Sequence, residues 1–448
     1  MLFPCLREVW PPLSQDPEGE GWEGAVIVHG TACSFTGAEL LIGSVLTSAF
    51  LFRPSTGFFS ISAHDFPMTT KGKDGVATKG KQWSLCQPNL DGLWSTALLK
   101  EEGAFAWAQG ALALLALTCS WSLGTFLPIL AAYLLYVGER SCLIAGTCLL
   151  IVLGWPFLVP VKPWYRAARF WLSAASYFEG GCSMSYEERD PNDLSVPQMQ
   201  CYHPHGIFTL GLILNSGIRS SAAEHKPDSP LWRKFVGSTG RVPFVGLAAE
   251  KLVQMPVFRH VMVCWTGNIE SASKTHLVTK MKRADSFGLC PGGFHELAFH
   301  QQGRDRVYLK KTGFIYYALK YGYMVTPAYT FGECATYYNV PGAESLREKL
   351  ADLGLPGICV TGPLRWIPLL ALIPFGRGVG LHTIHGKGRQ FPKVENPSKE
   401  LVQEYHAWYC GALRELFDRH KHRFGITHDL EIVGSEPAPP KQSKPTSK

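Results

Sequence analysis

From Gly103 to Gly138 the chain carries no charged residue, and after Glu139 and Arg140 a second uncharged run extends from Ser141 to Val161. About 20 apolar residues in a helix span a bilayer core, so each run is long enough. The bland alternative is a pair of core helices in a soluble protein, but such helices keep a polar face and these runs do not. A hydrophobic transmembrane hairpin over residues 101–161 is expected, with two membrane elements, or three if Gly124 and Pro128 divide the first limb. Lys71, Lys73, Lys79, Lys81 and Lys100 precede the hairpin, while Lys162, Arg166 and Arg169 follow it. Basic flanks stay cytosolic, which places both ends of the hairpin on the same side. The next stretch, WYRAARFWLSAASYF, interleaves Arg with aromatic rings and reads either as an interfacial helix or as a core helix.

Composition agrees with that setting. Hydrophobic residues make up 46% and charged residues only 18%, against about a quarter in typical soluble domains. The net charge of +7 suits an anionic membrane surface or substrate, but no basic stripe or aromatic reading motif accompanies it, which excludes nucleic acid. Thirteen cysteines are scattered without a CxxC pair or a short Cys/His spacing, arguing against a disulfide framework and a cysteine zinc site. There is no glycosylation sequon, since Asn396 is followed by Pro397, and no basic-then-apolar signal at the N-terminus. The bulk of the chain is expected in a reducing cytosol. Residues 1–100 lack sustained periodicity and read as an irregular N-terminal extension, and the tail 435–448, Pro-, Ser- and Lys-rich, as disordered.

Residues 162–434 alternate strand-like and helix-like runs, the pattern of an α/β domain. Candidate strands are QMQCYH, DSFGLC, YMVTPAYTF, GICVTG and VGLHTIH. The clearest helix has Asn396 as its cap, Pro397 in the first turn, and apolar residues at Leu401, Tyr405, Trp408, Ala412 and Leu416.

Familiar catalytic signatures are missing: there is no G-x-S-x-G elbow, no phosphate-binding loop and no dinucleotide glycine motif. HELAFH resembles a zinc helix only superficially, because His295 and His300 are five apart and point about 140° away from each other; no metal is expected. What remains is CYHPHGIFTLG. Its strand ends near Tyr202, a turn carries His203 and His205, and Gly206 precedes an apolar helix. Imidazoles at a sheet edge beside backbone N–H groups suit a general base next to an oxyanion site, although buried structural histidines would give the same letters. A second cluster, GLCPGGFHE, brings a Gly292–Gly293 turn that lets backbone approach closely and then an acid, Glu296, followed by Arg304, Arg306, Lys310 and Lys311. A third block runs from Gly313–Phe314 through Ala318, Gly322 and Pro327 to Phe331–Gly332–Glu333.

The order YHPHG, PGG with Glu296, then GF…A…G…P…FGE, behind a hydrophobic hairpin, resembles the diacylglycerol acyltransferase 2 family, which includes monoacylglycerol acyltransferases and wax synthases. The likeness covers about Gly103 to Val433, including RVPFVG at 241–246 and the block from Asn396 to Gly425. It implies a membrane-anchored acyltransferase-like α/β domain with a mixed sheet flanked by helices, residues 162–434 facing the cytosol. It also implies an endoplasmic reticulum membrane enzyme, with lipid droplets as a further location, that moves an acyl group from acyl-CoA to diacylglycerol. The alternative acceptors are monoacylglycerol and a long-chain wax alcohol. Acyl-CoA is then substrate and no cofactor is needed; membrane lipid is the other partner, and a homo-oligomer is compatible with the sequence.

The family's essential HPHG falls on His203, Pro204, His205 and Gly206, and its PGG on Pro291, Gly292 and Gly293. Tyr316 stands where a basic residue is common, and Gly388 where a Pro is usual. Related glycerolipid acyltransferases carry an Asp five positions after their histidine, where this chain has Phe208 and Leu210. Glu296 is therefore expected to orient His203 or His205, with a lean to His205 as base because Gly206 and the following helix start lie beside it. Arg241, Arg304, Arg306, Lys310 and Lys311 are the candidates for the CoA phosphates.

Overall fold

The structure, a computed structural model, describes residues 87–88, 93–97, 102–158, 170–171, 173–188, 196–218, 245–265, 269–355, 357–364 and 370–434. Arg241, the tail 435–448 and most of residues 1–100 lie outside the described residues, as does most of the proposed interfacial stretch before Phe170.

The first uncharged run forms one helix, α1 (Ala104–Val137), which passes through Gly124 and Pro128 without a break. Pro128 cannot donate to the Gly124 carbonyl and its ring crowds it, yet the helix continues. In apolar surroundings a broken helix would also strand backbone polar groups, which favours continuity. Gly138, at φ +75°, ends α1 with a left-handed residue that only glycine takes up freely. The chain then folds back as α2 (Arg140–Leu158), where Gly146 lies against the carbonyl of Ala131 and the side chain of Leu135. The result is a hairpin, with one departure from the sequence expectation. The first half of α1 is part of the globular core: Ala113, Leu114, Leu117, Thr118 and Ser120 are buried, and Gly110 sits where a Cβ would meet the carbonyl of Ser173. Among the described residues, α1 alone qualifies by length and composition as a candidate membrane span, and α2 is a shorter apolar helix. The second half of α1 and the outward face of α2 expose Phe126, Tyr133, Tyr136, Ile144, Ile151 and Trp155.

The strands, in chain order, are β1 (Gln87–Pro88), β2 (Trp94–Ala97), β3 (Gly181–Tyr186), β4 (Gln198–His203), β5 (Val245–Ala248), β6 (Ile269–Ser271), β7 (Phe287–Leu289), β8 (Arg306–Tyr308), β9 (Met324–Phe331), β10 (Tyr338–Asn339), β11 (Val360–Thr361), β12 (Gly380–His385), β13 (Arg389–Gln390) and β14 (Glu431–Val433). The main sheet is mixed, in the order β1-β2-β3-β12-β9-β4-β7-β5-β6, with β13 pairing β9. Its centre is parallel: β9, β4 and β7 run side by side, with His203 opposite Tyr329 and Cys201 opposite Leu289. Strands buried on both faces read as continuous apolar runs, which is how MVTPAYTF reads.

Helices cover both faces. On one side α1 packs with Phe178, Ile207, Phe208, Leu210 and Tyr337. On the other, α5 (Gly313–Tyr321) and α7 (Lys399–His420) pack on Met199, Cys201, Phe287, Val325 and Tyr329. Between them in the chain lie α3 (Lys274–Lys282), α4 (Gly293–Ala298) and α6 (Glu344–Asp352). The cap of α7 is Ser398, whose hydroxyl accepts the Leu401 N–H at 3.2 Å, rather than Asn396.

Candidate active site

Because β9, β4 and β7 are parallel neighbours, their carboxyl ends open at one edge, the place where α/β sheets accept ligands. Strand β4 delivers His203 and then His205; the turn after β7 delivers Gly292, Gly293 and, in the first turn of α4, Glu296; β9 delivers Gly332 and Glu333. Sequence blocks tens of residues apart are thereby brought together by strand adjacency.

Glu296 is buried and accepts from three directions. Its Oε1 takes the His205 backbone N–H at 2.5 Å, its Oε2 takes the Tyr308 N–H at 3.2 Å, and the His203 Nδ1 lies 3.3 and 3.2 Å from the two oxygens. A carboxylate only accepts, so His203 Nδ1 carries hydrogen. The other nitrogen of His203 meets the Tyr409 hydroxyl at 3.0 Å. Burial holds the Tyr409 phenol well above its usual pKa, so it stays protonated and donates. His203 is fully buried and both its nitrogens are engaged.

His205 is different. The residue is only partly buried, and Nδ1 faces the Gly206 carbonyl at 3.2 Å, which fixes the hydrogen on Nδ1 and leaves Nε2 a lone pair. Nε2 has no hydrogen-bond partner among the described residues. Burial pushes the His205 pKa below 6.5, against the opposing pull of Glu296, which keeps the ring neutral near pH 7.

The glycines answer to the carboxylates. A Cβ on Gly292 would collide with the Glu296 carboxylate, so this position must be bare. Gly293, at φ +49°, meets nothing, and its need is conformational. Gly206, at φ +58°, has both reasons: a Cβ would lie 2.5 Å from Glu333 Oε1.

Two sequence expectations change in detail. Glu296 holds the ring of His203 and the backbone, not the ring, of His205. The helix start after Gly206 is not an open oxyanion site at Leu210 and Gly211, because their N–H groups already donate to Glu333 at 2.9 and 2.7 Å. The Gly206 N–H itself is engaged by no described group.

Of the basic candidates, Arg306 is half-buried and paired with Glu431 at 2.9 Å and Glu344 at 3.4 Å, and Lys310 is paired with Glu348 at 2.9 Å. Arg304 is exposed, and Lys311 is half-buried near His295. The HELAFH histidines face separate tasks: His295 bonds Asp352 at 2.7 Å and stacks on Tyr308, while His300 Nε2 lies 3.1 Å from the Tyr337 carbonyl and is pushed down to about 4 by burial.

Sequence reasoning missed Tyr409 and the role of Glu333. Tyr409 lies one helical turn after Tyr405 on the buried stripe of α7, and a buried phenol wants a hydrogen-bond partner. Glu333 was visible as an acid directly after an apolar strand and a glycine.

A sequence model of the family described as Diacylglycerol acyltransferase matches residues 161–434. The chain belongs to the diacylglycerol acyltransferase family. Within it, the chain is 28% identical over 288 residues to Diacylglycerol O-acyltransferase 2-like protein 6 of Mus musculus, covering 60% of this chain and 79% of that one. It is 30% identical over 253 residues to Acyl-CoA wax alcohol acyltransferase 2 of Homo sapiens, covering 52% and 68%. It is 29% identical over 244 residues to Diacylglycerol O-acyltransferase 2 of Homo sapiens, covering 52% and 59%. A crystal structure of the 1-acyl-sn-glycerophosphate acyltransferase PlsC from Thermotoga maritima aligns at 14% identity and TM-score 0.31, covering 65% of this chain and 95% of that one. In this member of the diacylglycerol acyltransferase family, both histidines of HPHG and the acid after PGG form one hydrogen-bonded cluster.

Proposed function

We propose that this chain transfers a fatty acyl group from acyl-CoA to the free hydroxyl of diacylglycerol, forming triacylglycerol, with His205 as general base. The observation that carries the reading is the unpartnered Nε2 lone pair of a neutral, partly accessible His205 beside a buried Glu296. His205 Nε2 takes the proton of the acceptor hydroxyl as its oxygen attacks the thioester carbon. The tetrahedral intermediate places negative charge on the former carbonyl oxygen, for which the Gly206 N–H is a donor in reach of the turn. The C–S bond then breaks, and the CoA thiolate takes the proton back from the imidazolium. Glu296 and His203 position the turn and do not exchange protons with substrate.

The apolar surface explains how the lipid arrives. Trp121 of α1 stacks edge-on against Phe208 at 5.0 Å, and Phe208 against Tyr337 at 5.1 Å, so α1 walls the segment directly after HPHG. With the second half of α1 and the outward face of α2 in the endoplasmic reticulum membrane, an acceptor moves laterally to His205 while CoA leaves to the cytosol. For the CoA phosphates, Arg304 is the better candidate, since Arg306 and Lys310 already hold carboxylates. The second reading, a wax alcohol as acceptor, is favoured by the likeness to a wax alcohol acyltransferase.

The test uses membranes from cells without their own neutral-lipid synthesis, expressing the full chain and supplied with labelled oleoyl-CoA. Diacylglycerol, monoacylglycerol and a long-chain alcohol are offered in parallel, with His205→Ala as control. Label in triacylglycerol that vanishes in the control is the expected result. Label only in wax ester or diacylglycerol selects another acceptor, and no label with any acceptor sinks the reading.

A further inference from the structure

One buried carboxylate at the site has no part in the chemistry above. Glu333 follows the end of β9, is 1% exposed, and has no basic group in contact with it among the described residues. The titratable groups that face it are Cys290 from the turn after β7, Tyr337 from the loop after the short turn of 333–335, and its neighbour Cys334, none of them cationic. An acid in such a place is costly unless it does something. What holds it is backbone: Leu210 and Gly211 donate their N–H groups to its two oxygens at 2.9 and 2.7 Å. Its Oε1 also fills the space over Gly206, where even a methyl group would not fit.

We propose that Glu333 is a positioning residue for acyl transfer: it grips the helix start at Leu210 and Gly211 from one side while its carboxylate backs Gly206, and so fixes where the His205 ring stands. The proposal rests on His205 being the base. The turn is held at both ends, by Glu296 on the His205 N–H and by Glu333 on the two N–H groups five and six residues later. Between them the Thr209 N–H closes back on the His205 carbonyl at 3.1 Å. The two acids come from the strands flanking β4 on either side, β7 and β9, so the histidine turn is clamped symmetrically across the sheet edge. Protonation weakens one side of the clamp, since a carboxylic acid turns one of its two acceptors into a donor. Burial pushes Glu333 up to about 7, despite the Gly211 and Leu210 bonds that pull it down, so that change falls within the working range.

The experiment compares wild type, Glu333→Gln and Glu333→Asp in the same membranes, measuring kcat and the acyl-CoA KM from pH 5 to 9. Wild-type log kcat is expected to fall on the acid side with a slope approaching two, as both Glu333 and His205 take up protons. Glu333→Gln cannot ionise and presents an amide donor to one of the two N–H groups. Its kcat is expected to fall roughly 10²-fold, the size of effect an ångström of misplacement produces, with KM within twofold and the acid slope reduced to one. Glu333→Asp, shorter but ionisable, is expected to keep the second ionisation at an intermediate kcat. The rate at which diethyl pyrocarbonate modifies His205, read by mass spectrometry, is expected to change severalfold in Glu333→Gln and needs no turnover. An unchanged labelling rate with an unchanged acid slope overturns the proposal. If Glu333→Gln does not accumulate, a Glu333→Asp protein with wild-type kcat and labelling overturns it equally. Wild type that labels at His205 yet transfers no acyl group to any acceptor sinks the proposed reaction instead, leaving the clamp to be judged on labelling alone.

Discussion

Glu296→Gln separates positioning from mere stability. Three hydrogens point at the Glu296 carboxylate, from His203 Nδ1, the His205 backbone and the Tyr308 backbone, and the group is 2% exposed. A glutamine amide offers one oxygen. If that oxygen keeps His203 and His205, the NH2 group faces the Tyr308 N–H and two donors oppose each other away from water. An unmet buried donor costs about 1–3 kcal/mol, and the remaining bonds lose their charge assistance. A total of about 2–4 kcal/mol follows, which in a domain of this size lowers Tm by roughly 5–15 °C. Displacement of the His205 backbone adds a kinetic loss of roughly 10²-fold. His205→Ala removes one local hydrogen bond, from Nδ1 to the adjacent Gly206 carbonyl, and leaves the Glu296 bonds in place, so its Tm is expected to stay near wild type while turnover falls about 10²–10⁴-fold. Turnover is measured per molecule of folded protein, quantified in the same membranes by blot and by thermal shift. Glu296→Gln with near wild-type turnover per folded molecule would refute the reasoning, and so would a loss that tracks the folded amount alone.

Gly292→Ala puts a methyl group into the Glu296 carboxylate and is expected to mimic Glu296→Gln in turnover, whereas Gly411→Ala, in open space on α7, is expected to leave it unchanged; equal behaviour of the two would contradict the packing argument. Glu187 bonds Arg419 and His420, each at 2.8 Å; burial works to raise its pKa but the two bases outweigh it, bringing it down to about 2. A carboxyl depressed in the folded state stabilises above its unfolded pKa and loses that contribution as pH falls through the folded value. About 3 kcal/mol should therefore disappear between pH 4.5 and 2, and Glu187→Gln should flatten the acid limb of a pH series of thermal melts; an unchanged limb would count against the pairing.

The strands were legible because their period and their Gly and Pro boundaries are local: β4, β9 and β12 fall within QMQCYH, YMVTPAYTF and VGLHTIH. The cap of α7 slipped by two residues because Asn396 and Ser398 both qualify on type, and only the chain's path decides which side chain meets the Leu401 N–H. Gly124 and Pro128 left open whether the first limb was one element or two, because a proline's effect depends on whether water is there to satisfy a broken turn. Charges were harder still. Arg306 and Lys310 looked available for phosphate because Glu344 and Glu348 are 38 residues away in sequence, yet one turn of α6 apart in space they meet both bases. The same limit hid Glu333, whose partners at 210 and 211 are supplied by the neighbouring strand's turn.

The choice between the two histidines illustrates what strand adjacency adds to a motif. In the sequence His203 and His205 stand on either side of a proline, and only the glycine and helix start beside His205 favour one of them. In the sheet, the first is the last residue of β4, opposite Tyr329 and walled by Glu296 and Tyr409, while the second has left the strand and its Nε2 has no hydrogen-bond partner among the described residues. A ring with both nitrogens occupied and no exposed surface can hold a neighbour in place but cannot reach a lipid hydroxyl without losing a bond. A ring with one nitrogen fixed on a carbonyl and the other free is already the tautomer a base requires. The same adjacency places Phe208 three residues on, against Trp121 of α1, so the element that fits a bilayer and the element that fits proton transfer are in direct contact. If His205 is the base, an acceptor approaches it beside the apolar packing of Phe208 on α1, a setting that favours a lipid alcohol over a freely hydrated one.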